Sequence, residues 1–121
     1  MTAGAPIWTV RLTMAAETDF RQIVRWSAQQ FGKRQARLYA NTLSLAVQAL
    51  AAGSVVLGAR RRPDIGKGLM TLHVARAVRK GRHFVLFRAR QDADHRFIEI
   101  LRIVHDAMDL PRQGSPEDAK N

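Results

Sequence analysis

Arg82-His83-Phe84-Val85-Leu86-Phe87-Arg88 and Phe97-Ile98-Glu99-Ile100-Leu101-Arg102-Ile103-Val104-His105-Asp106 decide how this chain folds. Both runs are dense in β-branched and aromatic residues, and the polar segment Gln91-Asp92-Ala93-Asp94-His95 lies between them. That pattern predicts an antiparallel hairpin. Apolar residues sit at consecutive rather than alternating positions, so both sheet faces are expected to be covered. Phe84, Leu86, Ile100 and Leu101 are the expected core of this spine, and the rest of the chain must supply what covers it.

Two helices serve that purpose. Thr13 is placed to cap a helix running to Phe31; Ala16, Phe20, Ile23, Val24, Ser27 and Phe31 recur on one face, with Trp26 at its margin. A capping box would need Glu or Gln at position 16, where Ala16 stands. Glu17 and Asp19 suit the positive end of the helix dipole. Gly32 ends this helix, and a second is expected over residues 33–52. Its apolar stripe is Ala36, Tyr39, Ala40, Leu43, Ala46, Val47 and Leu50. So short a connection makes the helices antiparallel neighbours.

Ile7 to Leu12 alternates as a short strand, and Leu69 to Arg76 reads as another. Between them Val55, Val56 and Leu57 are expected to pack inward, and Arg60-Arg61-Arg62-Pro63-Asp64 and Gly66-Lys67-Gly68 to be loop. Val78-Arg79-Lys80-Gly81 turns the chain into the spine. A helical turn is expected at Asp106–Leu110, closed by Pro111. The predicted fold is α+β: a β-α-α-β-β-β two-layer domain with a helical hairpin on a mainly antiparallel sheet. It spans residues 1–111, and residues 112–121 read as a flexible polar tail.

Charge is the first functional clue. Among 121 residues, 20 Lys and Arg oppose 10 Asp and Glu, a net charge of +10. From Phe20 to Gln91 there are fifteen Lys and Arg and one acid, Asp64. Such a field attracts polyanions or an acidic protein. The absence of cysteine excludes disulfides and thiolate metal sites, and the four histidines show no metal-ligand spacing. No metal or cofactor is expected. Lacking a membrane-length apolar run or a signal-peptide pattern, the chain is expected in the cytoplasm.

Several pieces then point to a family. They are Asp19-Phe20-x-x-Ile23 and Phe31-Gly32; Gln35-Ala36-x-x-Tyr39; Gly66-x-Gly68-Leu69-x-x-Leu72; Gly81-Arg82-His83-Phe84-x-x-Phe87-Arg88; and Ile100-Leu101-Arg102-Ile103-Val104-His105-Asp106-Ala107-Met108-Asp109. In this order, across residues 7–111, the chain resembles the ParE branch of the ParE/RelE toxins of type II toxin–antitoxin systems. The resemblance implies a β-α-α-β-β-β fold and a toxin that poisons DNA gyrase. It also implies a cognate ParD-like antitoxin with an acidic C-terminal segment, and operator DNA bound only through that antitoxin. Arg21, Arg25, Arg34 and Arg37 are the expected polar contacts to the antitoxin. Met108 and Asp109, after the last strand, are the expected contacts to the target.

RelE-like relatives share the fold but cleave mRNA on the ribosome, so fold alone does not settle function. Cleavage requires a base for the 2′-hydroxyl, an acid for the leaving oxygen and cations for the phosphate. The candidates are His105, Arg82, Lys80 and Arg102, with His73, His83, Lys67 and Arg76 behind them. Against this reading stand Asp106, Met108 and Asp109, where RelE-like members carry a late aromatic or basic residue. The only tyrosine, Tyr39, falls on the core side of its helix. The chain therefore reads as a binding toxin with no catalytic residues, and a RelE-type endoribonuclease is the alternative. His105 is expected to bond locally or pack. A third reading, outside the family, is a small basic nucleic-acid-binding domain, to which Arg60-Arg61-Arg62 would contribute.

Overall fold

The computed structural model describes residues 8–76 and 79–107. Strand β1 (Thr9–Leu12) leads into helix α1 (Met14–Phe31) and helix α2 (Lys33–Ala49), which tightens into a 3₁₀ turn at Leu50–Ala52. Strands β2 (Arg60–Arg61), β3 (Met70–His73), β4 (His83–Asp92) and β5 (His95–His105) follow. The sheet order is β1-β5-β4-β3-β2. β1 runs parallel to β5, and the other pairs are antiparallel. The expected α+β arrangement of two helices on a mainly antiparallel sheet is what the chain adopts.

The spine hairpin is longer and tighter than its apolar runs imply. β4 and β5 pair from His83↔His105 to Asp92↔His95 around a loop of two residues, Ala93 and Asp94. Both faces are covered. On the helical face Val85, Phe87, Ile98, Ile100 and Ile103 pack with Ala16, Leu43, Ala46 and Leu50. On the other face Leu86, Leu101 and Val104 pack with Ile65 and Leu69, and half-buried Phe84 joins them. Each fully buried Leu, Ile or Phe contributes about 1.5–3 kcal/mol.

A bulge near Leu86/Phe87 lets β5 present Ile100 and Ile103 to one face and Leu101 and Val104 to the other. Beyond Ile100 the β1 side of β5 has no strand partner in the β1 register. The start of α1 replaces it. The Thr13 N–H donates to the Ile100 carbonyl at 3.0 Å, and its hydroxyl to the Leu101 carbonyl at 2.9 Å. The same hydroxyl oxygen accepts from the Ala16 N–H, the N-cap bond expected of Thr13.

Other expectations are corrected. Arg60 and Arg61 are not loop but an edge strand, pairing with Thr71 and Met70. The Arg62 N–H extends that ladder to the Leu69 carbonyl at 2.8 Å. Of Val55-Val56-Leu57 only Val56 packs inward. Bonds from Val56 N to Gly53 O and from Ala59 N to Val56 O turn Val55 and Leu57 out to 86% and 89% exposure. Phe31 is 63% exposed, because it lies edge-on against Trp26, 5.7 Å between ring centres, rather than in the core. β3 is half the expected length. Ile7, Val78 and most of the expected turn at Asp106–Leu110 lie outside the described residues, as do Pro111 and residues 112–121.

Candidate functional site

His73, His83, His105, Asp106 and Tyr39 meet where β4 begins and β5 ends. Register places His83 directly opposite His105, and their rings meet edge-on with centroids 5.3 Å apart. His73, at the end of β3, pairs with Phe84 rather than His83, with its ring edge-on to Phe84 at 4.9 Å. From α2, the Tyr39 hydroxyl reaches His83 Nδ1 at 2.6 Å and accepts the Arg82 N–H at 3.0 Å. Gly81 permits this approach: a Cβ there would lie 2.5 Å from Val74 Cγ2 and 3.0 Å from the Tyr39 oxygen.

The Tyr39 oxygen accepts the Arg82 N–H, and the direction of its bond with His83 Nδ1 follows the imidazole tautomer. His73 Nδ1 accepts the Ala75 N–H at 3.0 Å, and His105 Nδ1 accepts the Ala107 N–H at 3.0 Å. A ring nitrogen that carries a proton cannot accept, so in these two rings the proton sits on Nε2. The 3.6 Å approach of His105 Nδ1 to Asp106 Oδ1 is therefore no ion pair. Burial, with His105 alongside, lowers the His83 pKa from 6.5 to about 4. Burial raises that of Tyr39, which stays a phenol.

The cations nearby are engaged. Asp106 accepts from His73 Nε2 at 2.9 Å and from Arg82 Nε at 3.2 Å. The His73 bond and then Arg82 hold its carboxyl below the usual range. Arg102 donates Nε and a terminal nitrogen to Asp19 at 2.7 and 3.0 Å. Asp19 also accepts the buried Ile103 N–H at 2.9 Å. Asp19 is thus a structural centre that the sequence reading placed only as a dipole partner of the helix.

Beside this cluster an apolar groove opens between the helices and the strand ends. Its two parts, about 290 and 330 Å³, share Ile23, Trp26, His83 and His105. Phe31, Gln35 and Tyr39 line one part, and Asp19, Gln22 and Arg102 the other. Arg21, Arg25, Arg34 and Arg37 are all exposed, but none lines the groove. Arg34 and Arg37 flank a separate cavity with Leu38 and Asn41. Lys80 is exposed. Lys67 lies with Arg61 and Pro63 along the β2 edge of the sheet, and Arg76 shares a cavity with Arg60 and Arg62. Met108 and Asp109 lie outside the described residues. Among the described residues no three His, Asp or Glu side chains are placed to hold a metal ion, and no helix is long and apolar enough to cross a membrane.

This arrangement is a small two-layer α+β protein with an apolar groove beside an internally hydrogen-bonded histidine cluster. The family model for the ParE toxin of the type II toxin–antitoxin system, parDE, matches residues 10–110, and the chain belongs to that family. A solved structure of the chromosomal ParDE toxin–antitoxin system from P. aeruginosa shares the fold. Its TM-score is 0.65 at 22% identity, over 82% of this chain and 96% of that one. A YoeB/ParE toxin from Agrobacterium tumefaciens aligns at a TM-score of 0.46 and 13% identity, over 80% of this chain and 96% of that one. No curated protein matches the sequence.

Proposed function

We propose that this ParE-family chain is a toxin that inhibits DNA gyrase by binding, without catalysis of its own, and is neutralised by a ParD-like antitoxin. The observation that carries the reading is the internal hydrogen bonding of the cluster. A ribonuclease needs a ring nitrogen or amine with a free lone pair facing the 2′-hydroxyl. His73, His83 and His105 each spend Nδ1 on a hydrogen bond within the protein. Arg82 and Arg102, the cations proposed to steady the phosphate, are held by Asp106 and Asp19. Of the remaining candidates Lys80 is exposed, and Lys67 and Arg76 line cavities other than the groove.

The apolar groove suits a docked segment of the antitoxin. The exposed Arg21, Arg25, Arg34 and Arg37 supply the surrounding field for its acidic residues. Operator DNA is then bound through the antitoxin, and Met108 and Asp109 are kept as target contacts. Inducing the chain in bacteria tests the reading. Filamentation and a DNA-damage response with intact mRNA are expected. Immediate arrest of translation with cleaved mRNA would instead establish the endoribonuclease.

A further inference from the structure

The groove and the histidine cluster leave the basic edge of the sheet unexplained. In an antiparallel ladder, residues directly opposite share a face. Arg60 therefore points with Thr71, the residue opposite Leu86, to the face away from the helices. Arg62 follows two residues later on the same face. Arg76, arriving from beyond β3, closes the far side, where one of its terminal nitrogens donates to the Leu57 carbonyl at 3.4 Å. Together Arg60, Arg62 and Arg76 wall one cavity of about 480 Å³ whose floor includes His73 and Phe84. Among the described residues no carboxylate lines it. Asp64 holds Arg62 through two bonds of 3.0 and 2.7 Å, and Asp106 accepts from His73 Nε2. Among the described residues no side-chain bond engages Arg60, and the Arg76 fork makes only the bond to Leu57.

We propose that this cavity binds the phosphodiester backbone of a nucleic acid strand, so that the chain contacts nucleic acid directly and without reading sequence. Two features favour this ligand over an acidic protein. The cations are arginines, whose planar forks match phosphate oxygens. They converge from two sides on one concavity instead of ringing a flat surface. The half-buried Phe84 ring gives the floor an apolar surface for a sugar or base. The proposal does not depend on gyrase being the target.

The test is fluorescence anisotropy of the full-length chain with a short labelled DNA duplex, in two unrelated sequences, across a salt series. Both duplexes are expected to bind alike. Arg60→Gln with Arg76→Gln should weaken binding by about an order of magnitude and flatten the log–log salt slope by about 1 for each arginine removed. The charge-matched control, Arg34→Gln with Arg37→Gln, should keep most of the affinity and slope. Should Arg76→Gln lower the melting temperature, Arg60→Gln alone carries the test, with a slope change of about 1. Equal losses in the two double variants would overturn the proposal, since binding would then follow net charge. It would also be overturned by unlabelled poly-glutamate competing as well as unlabelled duplex at equal charge, which would mark an acidic-protein surface.

Discussion

Asp19 ties helix α1 to strand β5 through three hydrogen bonds. Its carboxylate is nearly buried, yet it satisfies the Ile103 N–H on the unpaired side of β5 and both donors of the Arg102 fork. Asp19→Ala would leave a buried amide without a partner and an arginine without its counter-ion. A loss of about 3 kcal/mol in urea unfolding is expected. Arg102→Met should cost less, about 1 kcal/mol, because Arg102 is 43% exposed and the Ile103 bond survives. From the sequence Asp19 reads as an acid in the first turns of a helix, which is correct but incomplete. Its second role depends on the strand edge that α1 covers, and no local pattern reports that. Thr13 was legible because an N-cap acts within three residues. His83 yields a pH signature. Its folded pKa of about 4 lies below the unfolded 6.5, so the unfolded chain binds the extra proton between these values. Its contribution is complete above about pH 6.5 and is lost as pH falls towards 4. In His83→Asn this component of the pH slope should vanish, and NMR titration of the wild-type ring should show a midpoint well below 6.

At the scale of elements, the helical hairpin was legible from its long, strong periodicity and the spine from two dense β-branched and aromatic runs around a polar turn. The short pieces were not. β2 is two arginines, and only the ladder to Met70 and Thr71 makes them a strand. Val55 and Leu57 read as core by composition, but two turn bonds turn them outward. The facing of His83 with His105 was hidden because register follows from the two-residue turn and the bulge, and a single-position slip would exchange the faces. That turn is itself strained. Ala93 holds φ at +52°, where a Cβ is costly and glycine is not. Ala93→Gly should stabilise the hairpin by about 0.5–1 kcal/mol, read as a rise in melting temperature with β4–β5 pairing unchanged by amide exchange.

For the whole molecule, the one-sided charge and the apolar groove belong to a protein of the ParE family, proposed above to act by contact. Reversing Arg21, Arg25, Arg34 and Arg37 together should weaken antitoxin binding, chiefly through the association rate, and flatten its salt dependence. Unchanged affinity and salt slope in calorimetry would remove the four from the interface. In the sequence the four register only as a field, and none of them lines the groove; the groove needed Tyr39, His83 and His105 brought together from three elements. The most direct measurement is supercoiling by purified gyrase in the presence of the purified toxin. Supercoiling is expected to fall with toxin concentration while cleaved DNA accumulates, and the cognate antitoxin should restore it. Supercoiling left intact at saturating toxin, with mRNA cleaved in induced cells, would contradict the account.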